Sequence, residues 1–197
     1  MKIEVYSVIV NNYDPPRNDV TVFTGRWLFT DPKREAGMYF AIPHLFMDAD
    51  VSVMLSGECY LLCPPEKFVE ELLGDADMAI HKHYCRDCVY DEGQEIINQK
   101  RDYTDIVKEQ MDRYRSVGYP ANNGLFETGI IIRRHNEKVI AFNNAWFAEM
   151  CRYSRRDQMS LNYVLSKFPD IKVNVLQEDV RENKYLRWGR HYKASKV

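Results

Sequence analysis

The sequence lacks any apolar run approaching the roughly 20 residues that cross a bilayer, so no transmembrane segment is expected. No secretory leader is expected either: "MKIEVYSVIV" carries one lysine, an acid at Glu4 and no small-residue cleavage site. It has no excess of either charge. Lys and Arg number 27 against 29 Asp and Glu, for a formal net charge of -2. A general nucleic-acid binder needs a basic excess for phosphates, so no nucleic-acid partner is expected. A small phosphorylated ligand is still open, because a local cluster of Arg and Lys is enough to hold one. Disulfide logic is missing as well: the five cysteines (59, 63, 85, 88, 151) are odd in number and scattered through apolar segments. Cys85-x-x-Cys88 has no second CxxC to complete a zinc site. Buried reduced thiols in a cytoplasmic protein are the simplest account. No repeat, linker or low-complexity tract is present.

What is present suits a single domain spanning residues 1–197, with 45% hydrophobic and 28% charged residues. "IEVYSVIV" (3–10) is nearly continuous in apolar character, as in a strand buried on both faces. A loop, "NNYDPPRND", leads to a second strand at 20–25. Asp31 is placed to cap a helix with Pro32 at its first position, ending before Pro43. A buried strand at 51–55 and an extended piece at 58–62 flank a Ser56-Gly57 turn; a helix follows between Pro65 and Gly74. "DMAIHKH" is a strand, 90–115 is a charged helical stretch, and "LFETGIIIRR" is another strand. Two helices and a last strand, "IKVNVL", complete the pattern; the tail beyond 178 is polar and basic. Alternating strands and helices predict an α/β sandwich, with helices flanking a mostly parallel central sheet.

Four stretches carry chemistry. Leu55-Ser56-Gly57-Glu58 ends a buried strand, where open α/β sheets bind ligands, and a carboxylate there can hold a divalent cation. Taken alone, a β-turn explains it more simply. In "AIHKHYCRDCVYDEG", alternation puts His81 and His83 on one face and Lys82 on the other. A zinc site from His81, His83, Cys85 and Cys88 is not a standard arrangement; a polar pocket for sugar hydroxyls or phosphate fits better, with a solvated loop as the plain alternative. A Gly/Asn-rich loop delivers Glu127 and Thr128 to the start of an apolar strand; since a buried acid needs a partner, Glu127 either sits at a strand edge in water or contacts an arginine or a ligand hydroxyl. In "CRYSRRDQMSLNYVL", Ser154 suits a helix cap with Asp157 three residues on. Arg155 and Arg156 are then left unexplained, since cations at a helix N-terminus are slightly unfavourable. They suggest an anionic partner, and Asp157 a sugar hydroxyl or anomeric centre.

The ordered set "FAIPHLF", "VSVMLSGECYLL", "HKHYCRDCVYDEG", "GLFETGIIIRRHN" and "AWFAEMCRYSRRDQMSLNYVL" covers roughly residues 34–168. It resembles a glycosyltransferase-like family of GT-A type, once a domain of unknown function, found in plant, bacterial and large-virus proteins. The resemblance implies a Rossmann-like sheet and a nucleotide-sugar donor, here expected to be UDP-linked. It further implies hexosyl or deoxyhexosyl transfer to a glycan or glycoprotein acceptor, in the cytoplasm (the host's, for a viral protein). It also implies Mn²⁺ or Mg²⁺ on the diphosphate, although Ser56 stands where the family's metal turn usually has Asp, leaving Glu58, with His191 as a late candidate ligand. The literal DxD at 75–77 precedes a strand and is expected to point away from the ligand edge. If such a transfer inverts, a carboxylate must deprotonate the acceptor hydroxyl, and Asp157 and then Glu127 are the expected catalytic residues; if it retains, the same residues hold the sugar. Val8, Ile9, Asn11, Tyr13, Arg34, Ser56 and Gly57 would meet the nucleotide. His83, Arg86, Asp87, Thr128, Arg156 and Gln158 would line the sugar pocket. The alternatives are a catalytically inactive nucleotide-sugar or glycan-binding module and a metal-binding interaction domain.

Overall fold

Strands buried on both faces must be covered on both, and the fold is three-layered. The computed structural model describes residues 1–25 and 28–189. Its central sheet contains β1 (Ile3–Val8), β2 (Thr21–Phe23), β3 (Val51–Leu55), β5 (Met78–Lys82), β6 (Phe126–Arg134) and β7 (Val173–Leu176), in the order β2-β1-β3-β6-β5-β7. β1 pairs in parallel with β2 and β3, and β5 with β7; β6 runs antiparallel to both its neighbours, β3 and β5. Tyr6, Met54, Ile80 and Ile131 face one core, completed by α1 (Pro32–Ala41), α3 (Val89–Asn98), α4 (Thr104–Ser116), α5 (Glu137–Arg152) and α6 (Asp157–Leu165). Val53, Leu55, Ala79, Ile130 and Ile132 face the other, packing on α2 (Pro65–Leu72) and a small antiparallel pair, β4 (Cys59–Leu61) with β8 (Leu186–Trp188).

The expected punctuation is present. Asp31 accepts the Lys33 amide at 2.9 Å with Pro32 opening α1, and α2 starts at Pro65. Three expectations need correction. The stretch 90–115 is two helices, not one: Lys100 turns left-handed at φ 53, and Asp102 is drawn away to Ser154 and Arg155. The strand at 173–176 is not the last, because β8 lies in the tail. Ser154 does not cap α6; the cap position is Arg156, and Asp157 is the first helical residue.

Arg133 of β6 is fully buried, and no carboxylate among the described residues meets it. Its guanidinium donates to the Phe40 carbonyl, to Ala41 O at 3.3 Å, to Asn143 Oδ1 at 2.9 Å and to Tyr6 Oη at 3.0 Å. Phe40 and Ala41 end α1, which has no basic residue of its own in its last turn. Arg133 therefore satisfies orphan carbonyls and the negative end of the helix dipole together. The Trp146 ring lies beside it, 5.8 Å from its central carbon.

Next to Arg133 lies His135, whose pKa is pushed down to about 4 by burial, by the Arg133 charge and by His44. Between its ordinary 6.5 and about 4, the unfolded chain takes up a proton that the folded protein refuses. Stability from this group is thus complete above pH 6.5 and falls as the pH drops through that window. With allowance for partial exposure, the loss is on the order of 2 kcal/mol. Urea midpoints measured from pH 7 to 4 should fall more steeply for the native protein than for His135→Gln; parallel falls would remove the assignment.

Candidate active site

In an open sheet the strands' carboxyl ends carry the ligand-facing loops. Because β6 is reversed, it brings its first residues, not its last, to that same edge. Glu127 and Thr128 therefore stand beside the ends of β3 and β5. The junction is irregular. Ile80 faces Ile131, yet the next residue, His81, faces Glu127, so three residues of β6 (128–130) bulge out against β5. On the other side, Ser56 still donates to Gly129 O at 2.8 Å. Bulges of this kind re-aim side chains beside sites.

At the β3 end, Ser56 Oγ donates to Glu58 Oε2 at 2.6 Å. Gly57 is required there: a Cβ on it would come within 2.2 Å of Asp14 Oδ2. Asp14 is itself buried, delivered by a tight exit from β1 in which Asn11 and Asn12 are both left-handed, at φ 63 and 54. Asn tolerates that conformation better than most residues. Arg17 braces the turn from the same loop, donating to Cys59 O at 2.6 Å while paired with Asp19.

At the β5 end, His81 is 1% exposed, and its Nδ1 donates to Glu178 O at 3.0 Å, leaving Nε2 unprotonated. Burial lowers its pKa, partly offset by Glu127 nearby. His83 Nδ1 accepts the Arg86 amide at 3.0 Å, and burial with the Arg86 charge lowers its pKa. Arg86 is locked on buried Glu92 at 2.6 Å. Glu127, 6% exposed, pairs with Arg181 at 3.3 Å. Burial would lower the Arg181 pKa, but Glu127 and Asp179 outweigh it and hold the guanidinium charged. The Tyr84 and Trp188 rings lie 5.2 and 6.0 Å from it.

The α6 N-terminus closes the rim. Gln158 Nε2 donates to Phe126 O at 2.9 Å, tying α6 to the residue before Glu127. Asp157 Oδ1 accepts the Gln158 amide at 3.0 Å, and no cation among the described residues comes within ion-pair distance of it. The approach to α6 is clamped by buried Asp102, which accepts from Ser154 Oγ at 2.6 Å and from the Arg155 amide at 3.1 Å. Arg155 also pairs with Asp31 at 2.8 Å.

The rim thus brings Ser56, Gly57, Glu58, His83, Arg86, Glu127, Thr128, Asp157 and Gln158 to one edge, with Val8 and Ile9 buried at the β1 end beside it. Tyr13 lies on the exposed side of the β1 exit. Arg34 does something else: it donates to Met150 O at 2.6 Å and to Cys151 O and Tyr153 O at 3.1 Å, capping the end of α5. Arg155 likewise has carboxylate partners within the protein, so the anion inferred from it is not needed. Arg156 is half-buried at the cap position of α6 and Asp87 is exposed. His191 lies outside the described residues. Asp77 points into the opposite edge, held by Asn136 and Lys172 at 2.8 Å. Among the described residues, no three His, Cys, Asp or Glu side chains gather as a metal site, so His81, His83, Cys85 and Cys88 do not form one. The Ser56-Gly57-Glu58 turn does fit a cation carried mainly by a donor's phosphates, which needs only one or two protein carboxylates. Sequence reasoning missed Asp14 and Arg181. The first lay in a stretch read only as loop, and the second in a tail read only as basic.

Among known proteins, the profile described as TOD1/MUCI70, glycosyltransferase-like domain, matches residues 20–190. The chain is 26% identical over 150 residues to "Probable hexosyltransferase MUCI70" of Arabidopsis thaliana, covering 71% of this chain and 26% of that protein. It is 24% identical over 166 residues to "Alkaline ceramidase TOD1" of the same plant, covering 78% and 36%. It therefore spans little more than a third, at most, of these relatives. Its fold matches a crystal structure of a glycosyltransferase involved in glycosylation of the PBCV-1 major capsid, with TM-score 0.51 over 90% of this chain and 82% of that one, at 8% identity. That likeness concerns the fold alone. With the profile matched over most of its length, this chain belongs to the TOD1/MUCI70 glycosyltransferase-like domain family.

Proposed function

We propose that the protein transfers a hexosyl or deoxyhexosyl unit from a nucleotide-diphosphate sugar, UDP-linked, to a glycan or glycoprotein acceptor. The observation that carries this is the gathering of Glu127, Asp157, Gln158 and the Arg86 and Arg181 guanidinium groups at the edge where β3 ends. Glycosyl transfer needs charge stabilisation at a departing diphosphate and an acid held at the sugar. Asp157, which has no ion-pair partner among the described residues, is the base that takes the acceptor hydroxyl's proton in an inverting reaction. Gln158 and His83 orient sugar hydroxyls, and Thr128 lines the bulge beside them. In a retaining reaction the same groups hold the sugar. Glu127, paired with Arg181, stabilises positive charge as the glycosidic bond opens.

When bound, Mn²⁺ or Mg²⁺ supplies Lewis-acid neutralisation of the diphosphate. Glu58, braced by Ser56 Oγ, is the residue placed to hold it. The free thiols of all five cysteines suit a cytoplasmic setting. Among the described residues no helix is long and apolar enough to cross a membrane.

Calorimetry with UDP-sugars, with and without Mn²⁺, followed by a donor-hydrolysis assay, tests the reading. Binding with turnover supports it. Binding without turnover makes the domain an inactive nucleotide-sugar module, and no binding removes the proposal.

A further inference from the structure

The rim holds the donor-side chemistry, yet the reaction needs a second substrate. Beside the rim lies an open groove of about 650 Å³, walled by the start of α3 and the segment after α4. That volume is within the usual range of ligand sites, about 300–1,000 Å³. Its walls continue the rim in both directions. Cys88, Tyr90 and Asp91 follow directly from Arg86. Gly118 to Asn122 precede Leu125, whose carbonyl accepts the His83 amide at 2.9 Å, and then Glu127.

The lining has the composition of a hydroxyl-binding surface. Asp91 and Asn122 offer acceptors and a donor, Arg115 is half exposed and offers a fork of donors, and Tyr90 and Tyr119 add aromatic surface. Among the described residues no Leu, Ile, Val, Met or Phe side chain lines it, so the apolar surface comes from Cys88, Ala121 and the two tyrosine rings, which suit the faces of sugar rings better than an acyl chain. The wall is also prebuilt. Tyr90 Oη donates to Tyr119 O at 2.5 Å, Arg115 stacks 4.6 Å over the Tyr90 ring, and Asp112 holds its guanidinium at 3.0 Å. Gly118 turns the chain at φ 76, a conformation that suits glycine. Fixed donors and acceptors cost a ligand little ordering of the protein.

We infer that this groove is the acceptor subsite, binding a saccharide chain whose terminal hydroxyl reaches the rim at Asp157 and Glu127. The inference rests on the glycosyl-transfer reading, but its test is separate. Amide shifts of the full chain are recorded with short cello-, xylo- and galacto-oligosaccharides and, in a separate arm, with a short-chain ceramide in detergent. The double variant Asp91→Ala/Arg115→Ala changes two side chains that take no part in the core. At least one saccharide should shift Tyr90, Gly118 and Asn122, and the double variant should weaken its binding about tenfold or more, as loss of charged hydrogen bonds predicts. UDP-sugar binding and donor hydrolysis should be unchanged in that variant. The inference is overturned if no saccharide binds, if shifts fall elsewhere, if the double variant binds as before, or if only the ceramide perturbs the groove. Failure of UDP-sugars to bind the native protein would instead strike the glycosyl-transfer reading itself.

Discussion

Replacing Asp157 with alanine should lower sugar transfer by about 10²–10⁴-fold, the range that a positioned general base contributes. The side chain is half-buried, and among the described residues its Oδ1 accepts the amide of the next residue, Gln158, at 3.0 Å and forms no ion pair. The backbone around it is pinned independently, because Trp146 Nε1 donates to the Asp157 carbonyl at 3.1 Å and Gln158 reaches Phe126 O. The melting temperature should therefore change little, and donor affinity by calorimetry should be nearly intact while turnover collapses. Asp157→Asn, which keeps the shape and removes the basicity, should be as slow as the alanine variant in an inverting reaction. A folded alanine variant with native turnover would take Asp157 out of the mechanism and move attention to Glu127.

Replacing Arg133 with leucine should cost about 3–5 kcal/mol of stability, as expected when several buried neutral acceptors lose one shared donor. Leucine fills part of the space but leaves the Phe40 and Ala41 carbonyls, Asn143 Oδ1 and Tyr6 Oη without their donor. Buried acceptors stripped of a partner bear the full desolvation cost. For a chain of this size the melting temperature should fall on the order of 10 °C. Arg133→Lys should recover part of the loss, since it keeps the charge but cannot reach all four acceptors as a fork does. A drop of under about 1 kcal/mol for the leucine variant would show that the α1 carbonyls find other partners.

Much of the scaffold was legible in the chain. Proline and glycine mark α1 and α2, Asp31 caps as its side chain suggests, and unbroken apolar runs mark β1 and β3. What was not legible depends on distant partners. β8 is three residues long and exists because Leu186–Trp188 meets Cys59–Leu61, a pairing with no period of its own. The break between α3 and α4 follows from Asp102 reaching across to Ser154, 52 residues on. Ser154 looked like a cap because hydroxyls favour caps, but a carboxylate is the stronger partner when one is in reach. At the site, the sequence left Glu127 either in water or against an arginine or a ligand hydroxyl, and the fold buries it beside Arg181. Arg34 and Arg155 show the converse: unexplained cations in a sequence can be spent on carbonyls and carboxylates that only the fold brings near.

The three surplus residues of β6 uncouple its two flanks. Against β3 the strand keeps regular step as far as Gly129, while against β5 it restarts at Glu127. Slack of that sort lets residues 126–128 be re-aimed by small changes in the loop before them without disturbing the ladder that holds Arg133. Under the proposed function, that slack would let one scaffold shift Glu127 relative to a bound sugar, and members of the family should differ here in length before they differ in the strands.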